Sequence, residues 1–238
     1  MISVLIPTKN RPRLLREALA SLSRQTFPHF EALVVDDGDG EGLEVVASLA
    51  DPRFRSFPSP GQGQVAAHQH ALAQARGEVV LFLDDDDLLL DPAYLYRVWR
   101  ILSREEALVY GEGVLDLGYE ELSFSPGEPG AWILRDNRIL ASGTALPLRF
   151  LRQHPLDPEM GHYWDWDLWL RAYRAGLPFR YLKGMGVRIR LHGGNQSGPW
   201  NREERAYYLE RLRAKHGLPP LELKDHLGLA LEGAMTRP

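Results

Sequence analysis

The sequence predicts an α/β fold, a mostly parallel central sheet flanked by helices. Three observations predict it. Strand and helix patterns alternate through the first half of the chain. The run Val79 to Leu83 (VVLFL) is apolar at every position, as a central strand covered on both faces requires. Three polar clusters follow successive strands: Thr8-Lys9-Asn10-Arg11, Asp36-Asp37-Gly38-Asp39 and Asp84-Asp85-Asp86-Asp87. Open sheets of this kind bind ligands beyond the carboxyl ends of their strands.

The elements follow in order. Ser3 to Pro7 is a short apolar strand. Pro12 to Gln25 carries a helical stripe of Leu14, Leu15, Ala18, Leu19 and Leu22, with proline in its favoured first turn. Phe30 to Val35 is a strand stopped by Asp36-Asp37-Gly38, Gly42 to Leu49 a helix, and Arg53 to Phe57 a third strand. Pro58 to Gly63 is a loop by composition, and Val65 to Ala75 an alanine-rich helix ended by Gly77. After VVLFL and its acids, Asp87 and Asp91 read as helix-start residues before a helix from Pro92 to Ser103. In the second half, Val109 to Leu117 and Glu120 to Phe124 read as strands and Pro147 to Gln153 as a helix. Trp164 to Ala175 is a helix ended by Gly176, and Phe179 to Lys183 and Val187 to Leu191 are two strands. Asn201 to His216 is a charged helix, and a helical tail spans Leu221 to Met235. That tail has three possible uses: packing on its own domain, pairing with a second copy, or touching a membrane surface. It lacks the basic face that membrane binding favours.

Composition removes several function classes. The chain has 238 residues and no cysteine, which excludes disulfide scaffolds, cysteine-ligated zinc, iron–sulfur clusters and thiol catalysis. A net charge of −4 gives no general attraction to nucleic acid. No apolar run approaches the ~20 residues of a spanning helix, and MISVLIPTKNR reads as a strand rather than a signal peptide. The expected setting is the cytoplasm, or the inner face of a membrane.

The acid run carries the chemistry. Two like charges ~4 Å apart cost roughly 4 kcal/mol at an effective dielectric of 20, so four consecutive carboxylates call for a counter-cation. Hard divalent ions, Mn2+ or Mg2+, take carboxylate oxygen together with substrate phosphates. The competing reading is a solvated loop whose charge favours the next helix start.

SVLIPTKNR, LLREALASLSRQTF, FEALVVDDG and GEVVLFLDDDDLL together resemble a family 2 glycosyltransferase of the GT-A type, from Ser3 to Leu90 and more loosely from Gly143 to Ser197. No internal repeat and no linker divides the chain, so it reads as one domain: a Rossmann-like nucleotide-binding half over about 1–105, an acceptor half over about 106–200 and a helical extension over about 201–238. The resemblance implies an inverting, metal-assisted transfer of a sugar from a UDP-, dTDP- or GDP-sugar to a glycan, lipid-linked or small-molecule acceptor hydroxyl. Thr8, Asn10 and Arg11 would line the nucleoside pocket. Asp37 would accept a hydrogen bond from the base, and Asp36 would support the loop. The D-x-D motif falls on Asp84 and Asp86, with Asp84 and Asp85 towards ribose or sugar and Asp86 as metal ligand. The family pattern before the central strand has Arg-Asn where this chain has His68-Gln69, which leaves His68 either near phosphate or packed neutral under the sheet.

The same resemblance puts a carboxylate base within W-D-W-D-L-W-L-R, at Asp165. A cap at the helix start is a second role for that residue, compatible with the first. Asp167 lies ~200° round the helix from Asp165 and so cannot face the same pocket; it falls at i, i+4 spacing from Arg171. Trp166 and Trp169 read as core or as sugar platforms. R-I-R-L-H-G-G-N-Q-S resembles a family loop that folds over the diphosphate, with Arg190 on phosphate and His192 on the metal. Two other readings stay open: a non-catalytic nucleotide-sugar-binding module, and a sugar nucleotidylyltransferase. The second would want a glycine-rich loop after the first strand, and PTKNRPR is poor in glycine. No G-x-G-x-x-G follows that strand either, which disfavours a dinucleotide oxidoreductase.

Overall fold

The computed structural model describes residues 1–195 and 201–235. Strands β1 (Ile2–Thr8), β2 (Phe30–Asp36), β3 (Phe54–Pro58) and β4 (Val79–Phe82) alternate with helices α1 (Pro12–Ser23), α2 (Glu41–Leu49) and α3 (Gln64–Gln74). They pair in parallel in the order β3-β2-β1-β4. Alternate side chains serve opposite faces, as the two-residue period of a strand dictates. Ile2, Val4 and Ile6 of β1 pack with Leu15, Leu19 and Leu22 of α1. Leu5 of β1, Val80 and Phe82 pack with Val65, Ala67 and Ala71 of α3 on the other face. Both faces are covered, so β4 carries apolar residues throughout.

The sheet continues beyond β4 with strands of mixed direction. After β5 (Leu88–Leu89) and α4 (Tyr94–Leu102) come β6 (Leu108–Asp116), β7 (Glu121–Phe124), a 3-10 turn at Ala131–Leu134, β8 (Ala145–Pro147) and α5 (Leu148–Gln153). Then follow α6 (Trp164–Arg174), β9 (Phe179–Arg190), α7 (Arg202–His216) and α8 (His226–Met235). The full order is β3-β2-β1-β4-β8-β6-β9-β5, with β7 on β6. The longer pairings, including β6 with β9, are parallel; β4 with β8 and β5 with β9 are short and antiparallel. Three-residue β8 and two-residue β5 are too brief for a periodic signal.

One reading changes. The two strands expected at Phe179 to Lys183 and Val187 to Leu191 are one strand, β9. Lys183-Gly184-Met185-Gly186 looks like a break, but extra residues here are absorbed as register shifts opposite Gly111, Glu112 and Gly113. Gly184 takes φ +95°, which suits glycine. Gly186 is needed for space: a Cβ there would stand 2.2 Å from the ring of Tyr94.

The tail packs on its own chain. Leu221 and Leu223 lie against one face's core, and Leu229 and Ala230 against the other's. Among the described residues, no helix is long and apolar enough to cross a membrane.

Candidate active site

Parallel pairing brings the ends of β1, β2 and β4 to one edge: Thr8 pairs with Asp36, and Leu5 with Phe82. A cleft of about 590 Å³ opens there. The acid run forms a tight turn, with the Asp87 N–H on the Asp84 carbonyl at 3.1 Å. It sorts its carboxylates. Asp85 turns to β1, accepting from Thr8 Oγ1 at 2.7 Å and Arg11 Nη1 at 3.1 Å. Asp84, Asp86 and Asp87 converge, with oxygens within 4.8 Å of one another. Asp87, expected at a helix start, instead accepts from Ser142 Oγ at 2.6 Å and the Arg190 N–H at 3.1 Å. Asp91 does sit before α4, accepting from the Ala93 N–H at 2.8 Å.

This convergence is electrostatically costly. Burial, then the charges of Asp86, Asp85 and Asp165, push Asp84 up to about 8, against a downward pull from Arg11. Burial and the charges of Asp86 and Asp84 hold Asp87 well above the usual carboxylate range. Burial and Asp86 push Asp85 up to about 6. A group of carboxylates that resists ionisation, chiefly because burial strips them of water and then because they repel one another, is the donor set a hard divalent cation prefers, so these residues fit one.

Basic and polar groups brace the run. Arg11 reaches Asp86 at 2.7 Å and the Gly194 carbonyl at 2.7 Å. His192 Nε2 lies 3.0 Å from Asp86 Oδ2, while the Gly194 N–H donates to His192 Nδ1 at 3.0 Å. With Nδ1 accepting, a neutral His192 carries its proton on Nε2 and donates to Asp86. The Arg190 guanidinium bonds the Asp86 carbonyl and Glu17. Gln196 and Ser197 of the same loop lie outside the described residues.

On the β2 side, Asp36 is buried and accepts from the N–H groups of Gly38 at 2.7 Å and Gly42 at 2.8 Å. Asn10, at φ +53°, exchanges hydrogen bonds with Asp39 at 2.9 and 3.1 Å. Asp37 lines the cleft, held by Lys9 at 3.2 Å and the Gly63 N–H at 3.0 Å. Thr8 and Arg11 line it too, whereas exposed Asn10 and buried Asp36 do not.

The opposite wall is the start of α6. Asp165 is buried in the cleft and accepts from Asn137 Nδ2 at 2.9 Å. Burial pushes it up to about 6, against that hydrogen bond and backbone N–H groups. Trp164 Nε1 donates to Gln64 Oε1 at 3.2 Å, and Gln64 Nε2 donates to Asp84 at 2.7 Å. One amide thus joins the acid run to the helix bearing Asp165. Its orientation is set by the indole, which only donates and so takes the amide oxygen, leaving the amide nitrogen for Asp84. Asp167 points away, fully buried, bonded to Arg171 at 2.9 Å, His216 at 2.8 Å and Lys215 at 2.5 Å. Burial pushes Asp167 up, but the bonds from His216 and Lys215 and the charges of Arg171 and Lys215 prevail and hold it down at about 2. Trp166 and Trp169 are core. His68 is fully buried against Phe82 and Trp164, and burial pushes it down to about 3.

Sequence reasoning did not single out Gln64, Ser142 or Asn137. None belongs to a recognisable spacing; Gln64 comes from the start of α3, and Asn137 and Ser142 from the segment before β8.

The family model described as glycosyl transferase family 2 matches residues 3–146. An uncharacterized glycosyltransferase of Bacillus subtilis (strain 168), YwdF, is 26% identical over 253 aligned positions, covering 99% of this chain and 91% of the relative. S. aureus TarS 1-349, crystallised with UDP-GlcNAc, superposes with a TM-score of 0.71 at 19% identity, over 90% of this chain and 65% of that one. The mannosyltransferase PcManGT of Pyrobaculum calidifontis, with GDP-Man and Mn2+, gives 0.69 at 18% identity, over 98% and 68%. A longer TarS chain is spanned to 39% of its length.

Proposed function

Because this chain belongs to glycosyl transferase family 2, and by that membership is a glycosyltransferase, we propose that it moves a sugar from a nucleoside-diphosphate sugar to an acceptor hydroxyl with inversion. The single observation that carries the reading is one cleft lined both by the acids Asp84, Asp86 and Asp87 and by the buried base candidate Asp165. Asp165 takes the acceptor proton as the hydroxyl attacks, and Asn137 holds the carboxylate in place. One base facing one leaving group makes a single displacement, and a single displacement inverts.

Asp84, Asp86 and Asp87, with His192 beside Asp86, would hold a divalent cation, Mn2+ or Mg2+. Such an ion supplies Lewis-acid stabilisation to a departing diphosphate. The chain's own part is to present these oxygens: Gln64 orients Asp84, Arg11 and His192 orient Asp86, and Ser142 and the Arg190 N–H orient Asp87. For His192 to use Nε2 as a ligand, its proton must move to Nδ1 and the Gly194 contact must open. Arg190 serves the acid loop first, so a phosphate contact would have to come from its remaining donors.

Asp37 can accept from a base N–H, which fits the ring N–H on the pairing edge of uracil, thymine or guanine. UDP-GlcNAc on TarS and GDP-Man with Mn2+ on PcManGT support a nucleotide-sugar donor and a divalent ion. We read the chain as one domain acting on a glycan, lipid-linked or small-molecule acceptor, in the cytoplasm or at a membrane face.

Isothermal titration with UDP, dTDP and GDP, each with and without Mn2+, tests the reading. At least one should bind with Mn2+ present, and Asp86→Ala should abolish the metal-dependent part. Equal binding without metal, or none at all, refutes it.

A further inference from the structure

Four lysine and arginine side chains line the cleft: Lys9, Arg11, Lys224 and Arg205. Lys9 pairs with Asp37 at 3.2 Å and Arg11 with Asp86 at 2.7 Å. Lys224 pairs with Asp136, Glu222 and Glu232 at 3.1 to 3.5 Å. Arg205, on the first turn of α7, is 5% exposed, and among the described residues no carboxylate stands within ion-pair distance of it. Its Nη2 donates to the Lys224 carbonyl at 2.7 Å, which fixes the guanidinium but leaves its charge unanswered. Asp225, on the same wall, gives an oxygen to the Gly228 N–H at 2.8 Å, starting α8. Arginines are almost never this deeply buried without a partner, because the charge is expensive to strip of water. A cleft-lining one so placed is short of an anion.

Position narrows the anion. The hydroxyl of Tyr163, the residue just before α6, has Arg205, Asp165 and Asp225 as charged neighbours. Arg205 therefore stands on the Asp165 wall, on a C-terminal helix, while the acids suited to a donor diphosphate belong to the β4 end. Each wall carries both signs: Lys9 and Arg11 stand with the acids at the sheet edge, while Asp165 and Asp225 stand with Arg205 and Lys224 on the second half of the chain.

We propose that Arg205 forms an anion subsite for the acceptor, receiving a phosphate or carboxylate that the acceptor carries beside its reactive hydroxyl. This rests on the transferase reading above, and it specifies the acceptor as an anionic sugar or sugar phosphate rather than a neutral one. The planar guanidinium fork suits either oxyanion.

The test uses the full chain loaded with UDP and Mn2+, so that the donor site is filled. Glucose, glucuronate and glucose 6-phosphate are titrated calorimetrically. At least one anionic sugar should bind ten-fold or more tightly than glucose; which one separates carboxylate from phosphate. Arg205→Gln should erase the preference, and Arg205→Lys should retain part of it, with UDP affinity unchanged in both. No preference in the wild type overturns the proposal, as does an Arg205→Gln protein that keeps it. Equal loss of UDP affinity overturns it too, since Arg205 would then serve the donor. If neither variant folds, a wild-type crystal soaked with glucose 6-phosphate decides: phosphate oxygen on the Arg205 guanidinium supports the subsite, and density elsewhere or none overturns it. If UDP fails to bind at all, the transferase reading falls, and the same sugars titrated into unloaded protein still decide the subsite.

Discussion

Asp165 and Asp167 sit two residues apart on one helix and are displaced in opposite directions, so replacing each by asparagine should have opposite consequences. Asp165 titrates at about 6 in the fold against 3.8 unfolded. A raised value means its favourable contribution is complete below 3.8 and is lost as pH rises through 6. At pH 7.5 the buried charge then costs about 3 kcal/mol, and near pH 4.5 about 1 kcal/mol. Asparagine removes that cost and still offers an oxygen to Asn137. Asp165→Asn should therefore raise stability by up to about 3 kcal/mol at pH 7.5, with the gain shrinking to about 1 kcal/mol at pH 4.5. It should bind UDP and Mn2+ normally and lose transfer. Asp167 runs the other way: held at about 2, its contribution is present above 3.8 and disappears only as pH falls through 2. Asp167→Asn should cost about 2 kcal/mol at both pH values, and more where Lys215 and Arg171 are left without a counter-charge. Urea unfolding of both variants at the two pH values, with transfer assays alongside, measures all of this. An Asp165→Asn protein no more stable than wild type, or one that still transfers, refutes the reasoning; so does a neutral Asp167→Asn.

Three further outcomes follow from the site and its frame. Transfer at saturating donor should rise with pH through about 6, as Asp165 ionises; a flat profile from pH 5 to 8 would remove Asp165 as base. Gln64→Leu deletes hydrogen bonds to Asp84 and Trp164 at once, the first worth about 1.5–3 kcal/mol when a bound cation keeps Asp84 ionised. It should slow transfer roughly ten- to a hundred-fold, and unchanged kcat in a single-turnover assay would show the bridge to be incidental. Gly186→Ala drives a methyl to 2.2 Å from Tyr94, so calorimetry should show a loss of at least about 1–3 kcal/mol; an unshifted melting curve contradicts that packing.

Much of the frame was legible because local pattern and burial agreed. Val79 to Leu83 could be apolar throughout only if covered on both sides, and it is. The separation of Asp165 from Asp167 was legible from helical rotation alone. The depth of Asp167 was not, because His216 and Lys215, which make its burial tolerable, lie about 49 residues on. Asp87 looked like a helix start because Ser142, its partner, is 55 residues away. Gln64 was passed over for a similar reason: an amide has no spacing signature, and its meaning comes from two groups that the tertiary fold sets at its ends. Strand β9 reads as two in the sequence because glycines punctuate sequences more strongly than they interrupt this sheet.

That strand has a further consequence. Its far end delivers the Arg190 N–H to Asp87 and leads directly into His192, while its body is registered against β6 for nine positions. Between the glycine kink and Arg190 there is no slack, and side chains alternate strictly. One residue inserted at 187–189 would turn Arg190 over and carry the histidine away from the acids, whereas one inserted in the 117–120 hairpin would leave both where they are. The strand works as a ruler, and a change of length is accommodated in the β6–β7 hairpin rather than within it.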